Sequence, residues 1–517
     1  MSHGIHTRRQ LLRVGGGLSI LGAAAPFAAQ LAAAGAAVSQ SAPDYKALVC
    51  VFLFGGNDAN NMVLATDQDS WGRYFATRNT GADPIALMPA GMAPTPIGAT
   101  NTLTGRVSAA ARPEAWGGVL PIVPRTIQAI PAGTNASTRT FGLHPFMGPV
   151  KTLFDAGRLA VVANIGTLVR PVTRAQYEAR SVTLPTNLFS HNDQQSTWQA
   201  GRTEGAQLGW GGAFSDLLTG TNGTNAVFTA VSTAGNAVFL SGNDVVQYQM
   251  STGAQPAIVI NGQSGTSLFG SSVAPGRVRE MIRDTSAASL FAADYATTTD
   301  RSIGAATSLN STFTTPAVTG VLAAPAYRNP ISGATETNSL AVQLQTVARM
   351  IAAAPTLGVK RQVFFVSLGG WDSHDVQNTA QPNNLSKVAS ALSYFDEALG
   401  NIGGVNMRES VTTFTASDFS RTFTTNGDGT DHAWGGHHLV MGGAVRGGDI
   451  YGQFPTVGMD QGTAFRNPDM TSSYLIPTTS VDQYAATFGR WMGVSETNLD
   501  LIFPNLRNMV TRGLGFL

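Results

Sequence analysis

The run Ala47-Leu48-Val49-Cys50-Val51-Phe52-Leu53-Phe54 constrains this chain most: it is apolar at every position and stops at Gly55-Gly56. A strand buried on both faces needs no polar alternation, and such strands belong to parallel sheets covered on each side. Comparable runs recur at residues 159–165, 362–368 and 411–415. Helical patterns precede these three, at residues 145–156, 340–354 and 385–402. Alternating helix and buried strand predicts an α/β fold around a mostly parallel sheet.

Other segments read as insertions into one large domain spanning residues 37–517. Residues 78–140 are rich in Gly, Pro, Ala, Thr and Asn and predict long loops. Short β-like runs at 226–231, 238–240 and 257–260 predict a small antiparallel cap or sheet extension. Residues 277–296 predict a helix and 302–332 a loop-rich connector, which together place a second insertion near 225–332. Val481–Met492 and Glu496–Ile502 read as closing helices.

The N-terminus reads Thr7-Arg8-Arg9-Gln10-Leu11-Leu12-Arg13, followed by a weakly apolar stretch rich in Ala and Gly. A basic head, an apolar middle and the small triplet Ala34-Gly35-Ala36 make up a cleavable signal over residues 1–36. The paired arginines point to the twin-arginine route, which exports folded proteins. The twin-arginine translocase is then a partner during export, and the expected location is periplasmic or extracellular. Three of the 32 basic side chains leave with the leader, so the remainder holds 29 bases against 31 acids. That balance argues against nucleic acid as a partner. Cys50 is the single cysteine, so no disulfide forms within the chain; folding in a reducing compartment before export requires none.

In a sheet of this kind, chemistry sits in loops beyond the carboxyl ends of the strands. Gly55-Gly56-Asn57-Asp58 follows the first strand and Gly369-Gly370-Trp371-Asp372-Ser373-His374 the third. Ala416-Ser417-Asp418-Phe419-Ser420-Arg421 follows the fourth, and Gly429-Thr430-Asp431-His432-Ala433-Trp434-Gly435-Gly436-His437-His438 comes soon after. Outside the leader there are six histidines, and four of them fall in these acid- and glycine-rich segments. Asp and His together suit Zn, Mn or Fe, whereas oxygen-only sites suit Mg or Ca. Asp58, Asp372, His374, Asp418, Asp431, His432, His437 and His438 are therefore candidate ligands for one or two divalent ions. Ser190, in Leu188-Phe189-Ser190-His191-Asn192-Asp193, opens an expected helix and is either a nucleophile at an anion-welcoming helix terminus or simply its N-cap. His191 is expected to hydrogen-bond the site or sit on its rim. Arg421 either contacts an anion or pairs with a nearby acid.

Together with the leader, the Phe54–Asp58 run, Ser190-His191 and the three later segments, the chain resembles the twin-arginine-exported domain-of-unknown-function 1501 family. That family is similar to the alkaline phosphatase and sulfatase superfamily. The resemblance implies an alkaline-phosphatase-like three-layer sandwich and a hydrolase of small phosphate- or sulfate-type esters, with a Ser190 or metal-bound water nucleophile and Zn, Mn or Mg as the metal. It also implies that Asp58, Asp372 with His374, Asp431 with His432, and a final His437 or His438 hold the metal. A companion exported protein is the partner it implies. The alternative is a non-catalytic exported protein that keeps the fold for binding or assembly. Neither Cys50 nor Ser190 stands in the C/S-x-P-x-R setting that formylglycine sulfatases need.

Overall fold

The computed structural model describes residues 45–131, 134–252, 257, 267–284 and 289–517. The leader expected over residues 1–36 lies outside them, as do positions 258–260 of the expected run at 257–260.

A nine-stranded sheet organises the described residues. Its strands are β1 (Lys46–Leu53), β2 (Leu159–Gly166), β3 (Ala230–Ser232), β4 (Tyr248–Gln249), β5 (Arg361–Leu368), β6 (Val411–Ser417), β7 (Gly436–Met441), β8 (Ile450–Tyr451) and β9 (Thr479–Ser480). They lie in the order β8-β2-β7-β6-β1-β5-β3-β4, with β9 also on β2. Only β7 runs antiparallel to its neighbours. The four strands expected from the apolar runs form, each within two residues of its expected ends.

Alternation along β1 feeds two separate cores. Ala47, Val49, Val51 and Leu53 point to one face, and Leu48, Cys50 and Phe52 to the other. Helices cover both faces. Those that matter here are α1 (Gln68–Arg78), α2 (Gly148–Asp155), α3 (His191–Ala200), α4 (Trp210–Leu218), α5 (Leu290–Thr312), α6 (Ser339–Leu357), α7 (Gln377–Leu399), α8 (Val481–Met492) and α9 (Glu496–Ile502). α2, α6 and α7 fill the first core through Val150, Leu344, Val347, Leu385 and Phe395. α4, α8 and α9 fill the second through Phe214, Tyr484, Phe488 and Leu499. Each such side chain contributes about 1.5–3 kcal/mol on burial. The molecule is thus a mixed α/β fold with a large, mostly parallel sheet between helices.

Of the cap and the sheet extension expected here, the extension forms: β3 and β4 continue the main sheet in parallel beyond β5, while 238–240 is a 3-10 turn. Two expectations change. The expected connector at 302–332 begins inside α5, whose 23 residues end at Thr312. Within residues 78–140, Leu120–Ile122 pairs with Phe141–Leu143, which also pairs with Val63–Ala65, so this long-loop region carries one edge of a three-stranded antiparallel sheet.

Candidate metal centre

β6, β1 and β5 are neighbours, and Leu53 is in register with both Ser417 and Leu368. The three strands therefore end at one level, and the loops that follow them are forced together. Gly55 takes φ 118° and donates its N–H to Asp418 Oδ2 at 3.2 Å. A Cβ on Gly55 would stand 2.4 Å from the backbone nitrogen of Asp372, so both the conformation and the contact demand glycine. Gly56 (φ 88°) has a Cβ position 2.6 Å from the Phe419 ring.

Arg421 locks these loops. It is buried and donates from Nε to the Gly56 carbonyl (3.0 Å), from Nη1 to the Thr430 carbonyl (3.2 Å), and from Nη2 to the carbonyls of Gly55 and Trp371 and to Asp372 Oδ1. A guanidinium committed to five acceptors aims a carboxylate rather than meeting an anion. Of the two readings of Arg421, the structure takes the paired one. An antiparallel bridge between Arg421 and His432 then brings the 429–438 segment alongside.

The result is a triad. His191, Asp372 and His432 present three ligand atoms that all lie within 4.8 Å of one another, so these residues can hold a metal ion. His191 Nδ1 donates to Asp418 Oδ2 at 2.6 Å, and His432 Nδ1 to the Phe189 carbonyl at 2.7 Å. Oxygen acceptors on Nδ1 turn both Nε2 atoms toward the site, the arrangement metal-binding histidines ordinarily adopt. His191 Nε2 is buried, makes no hydrogen bond among the described residues, and lies 3.5 Å from Asp372 Oδ2. A buried, unmatched imidazole nitrogen aimed at a carboxylate fits a cation between them. The Phe419 ring packs under both imidazoles, with centroids 4.7 Å from His191 and 4.4 Å from His432.

Electrostatics follow the contacts. The hydrogen bond from Asp418 raises the His191 pKa above the ordinary histidine value, more than burial lowers it. Burial works to raise the Asp372 pKa, but the Arg421 hydrogen bond and charge, with His191 and His374, bring it below the usual range. Burial lowers that of His432, and the nearby positive charges add to this against the Phe189 bond. His374 and Asp431 adjoin the triad: His374 Nε2 is 2.9 Å from His432 Nε2, and its Nδ1 is 3.2 Å from Asp431 Oδ1.

Other sequence candidates lie elsewhere or do something else. Asp58 is fully buried and paired with Arg78 at 2.6 Å, with Gln377 Nε2 and the Asn60 N–H also donating to it. Its oxygens are taken, so it is a structural acid here and not a free ligand. Asp418 likewise stands behind His191 rather than in the triad. His437 and His438 sit on β7, in the cores, where burial lowers each pKa to about 3. His437 Nδ1 accepts the N–H of Asn164, a residue at φ 49° beside the bulge where Gly436 faces Ile165 but His438 faces Val162. His438 Nδ1 meets Thr415 Oγ1 at 3.3 Å, and its ring packs on Trp198. Ser190 is the N-cap of α3: its Oγ accepts the Asp193 N–H at 3.5 Å. That cap fixes His191 at the first helical position and so places it in the site.

The model of a family of proteins of unknown function, DUF1501, matches residues 45–503. The chain belongs to the DUF1501 family. No curated protein matches it. The matched span of this DUF1501 chain contains every residue of the triad and its supports. The sequence led to the expectation that His191 hydrogen-bonds the site or sits on its rim; it does bond Asp418, and it is also one of the three candidate ligands, which the sequence did not reveal. The available signal was local: a residue just after a capping serine is held rigidly by its helix.

Proposed function

We propose that this DUF1501 protein is an exported, metal-dependent hydrolase of phosphate- or sulfate-type esters, with its metal held by His191, Asp372 and His432. The observation that carries the reading is the buried, hydrogen-bond-free Nε2 of His191, backed by Asp418 and facing Asp372. Two imidazoles and one carboxylate favour zinc or manganese over magnesium. Three protein ligands with an open position are the catalytic pattern for zinc. When bound, such an ion polarises an ester oxygen and lowers the pKa of a bound water. The chain's own residues do the rest: Arg421 orients Asp372, Asp418 fixes the His191 tautomer, and Phe419 seals the inner wall from water.

Ser190 remains the candidate hydroxyl nucleophile, next to His191 and at the head of α3. The mostly parallel sheet with helices on both faces, and a site beyond the strand ends, supports the likeness to the alkaline phosphatase and sulfatase superfamily. Export by the twin-arginine route to the periplasm or beyond rests on Arg8-Arg9 and the stretch after them. A protein folded before export can carry a metal acquired in the cytoplasm. Replacing Arg8-Arg9 by two lysines should hold the chain in the cytoplasm; secretion of that variant at the normal level would sink the export reading.

The same fold without catalysis, serving a companion exported protein, is the second reading, favoured by Arg421, which is buried and turned to loop carbonyls and Asp372 rather than toward an anionic substrate. Metal analysis of the exported protein and its Asp372→Ala variant tests the metal site. Bound zinc or manganese that disappears in the variant supports it, and a wild-type protein without metal that also binds none when offered it refutes it.

A further inference from the structure

We infer that the centre holds a single ion with four protein ligands, His374 joining His191, His432 and Asp372; this rests on the metal site proposed above. All three imidazoles are wired alike. Each has an oxygen on Nδ1: Asp418 for His191 at 2.6 Å, the Phe189 carbonyl for His432 at 2.7 Å, and Asp431 for His374 at 3.2 Å. Carbonyl and carboxylate oxygens accept, so the ring protons belong on Nδ1 and the lone pairs on Nε2.

His374 Nε2 and His432 Nε2 are nevertheless 2.9 Å apart. Without a metal, one ring carries a proton on Nε2 and donates it to the other; an ion in that proton's place would take both lone pairs at once. The other spacings agree. His374 Nε2 is 3.2 Å and His432 Nε2 3.5 Å from Asp372 Oδ1, and His191 Nε2 is 3.5 Å from Asp372 Oδ2. Ligand atoms about 2.0–2.1 Å from a tetrahedral zinc stand roughly 3.3 Å from one another. The four separations, from 2.9 to 3.5 Å, lie around that length, with Asp372 offering Oδ1 to His374 and His432 and Oδ2 to His191.

His374 is also placed to adjust. Its carbonyl accepts from Asn426 Nδ2 at 2.9 Å, and a Cβ on Gly429 would lie 2.2 Å from that same oxygen, so the backbone is anchored. The side chain is 42% exposed, with its ring between Asp431 and His432. Asp431 then supports His374 as Asp418 supports His191, and neither acid is a ligand. Three nitrogens and one oxygen select a zinc-like ion and leave no set of oxygens for a second, harder one. With four protein ligands, substrate access requires expansion to five-coordination or withdrawal of the exposed His374.

Zinc-edge X-ray absorption of the full-length, zinc-loaded protein counts the imidazoles directly. One zinc with three imidazoles is expected in the wild type, and two imidazoles in His374→Ala. Zinc affinity of that variant should fall by more than the roughly 10–100-fold that loss of a residue behind a ligand costs. Since His374 is exposed, the variant should keep the wild-type circular dichroism. Two imidazoles in the wild type, two zinc ions per chain, or an unchanged affinity in the variant would overturn the inference while leaving the three-residue site standing. A wild type that binds no zinc would instead remove the site on which it rests.

Discussion

His191 Nδ1 lies 2.6 Å from Oδ2 of Asp418, a carboxylate with no solvent exposure that follows β6 directly. Gly55 N–H and Gln195 Nε2 donate to the same oxygen, at 3.2 and 2.9 Å. An acid this enclosed keeps its place only if its partners do, so the dyad sets the His191 ring in one orientation. In Asp418→Asn the amide offers a donor as readily as an acceptor, and the ring loses its fixed tautomer. Metal affinity should drop about 10–100-fold. Calorimetric titration of the metal-free variant checks it; wild-type affinity would make Asp418 a bystander.

The dyad also predicts a titration. In the metal-free protein, the raised pKa of His191 means that it holds its proton above the usual histidine range. Its contribution to stability is fully present below the unfolded-state pKa and is lost as pH rises through the folded-state value. Asp418→Asn should bring the His191 resonance in an NMR pH titration back toward the ordinary value. An unmoved midpoint would mean that another group raises it.

Asp58 and Arg78 form a pair without exposure on either side. Removing one member strands the other charge, at a cost of about 3–5 kcal/mol. Asp58→Ala should therefore lower the denaturant midpoint strongly, while the molecules that remain folded keep their metal. Loss of metal at wild-type stability would return Asp58 to the ligand set.

His144, His437 and His438 are buried, and burial lowers each pKa to about 3. The unfolded chain takes up protons on these rings near the ordinary value of about 6.5, and the folded chain does so only near 3. Stability is thus full above the unfolded-state pKa and is lost as pH falls toward the folded-state values. The slope approaches about 1.4 kcal/mol per pH unit for each ring. Chemical denaturation at a series of pH values from 7 to 4 reads this. A flat profile would show that these rings are not held neutral.

How much of this was legible in the sequence divides along physical lines. The β1, β2, β5 and β6 runs announced themselves because a strand buried on both faces has to be apolar throughout. β7 did not, since Gly436-His437-His438 interrupts the pattern with two polar rings whose burial depends on Asn164, Thr415 and Trp198, far away in sequence. The strand-end rule led to Asp372 and Asp418 but could not tell which belongs to the triad and which stands behind it, because the difference is whether His191 comes between Asp418 and the site. Asp58 looked the same as those two until Arg78 filled its oxygens. His432 and His374 were read from their company of acids and glycines. His191 lacked that company, and only the Ser190 cap hinted at how firmly it is held.

Hydrolysis of a panel of aryl phosphate and sulfate esters before and after chelation separates a metal-dependent hydrolase from a binding protein. Turnover of at least one ester should vanish on metal removal, return with zinc or manganese, and be absent from Asp372→Ala. No turnover of any ester by the metal-loaded protein, or turnover indifferent to chelation, would contradict the hydrolase reading.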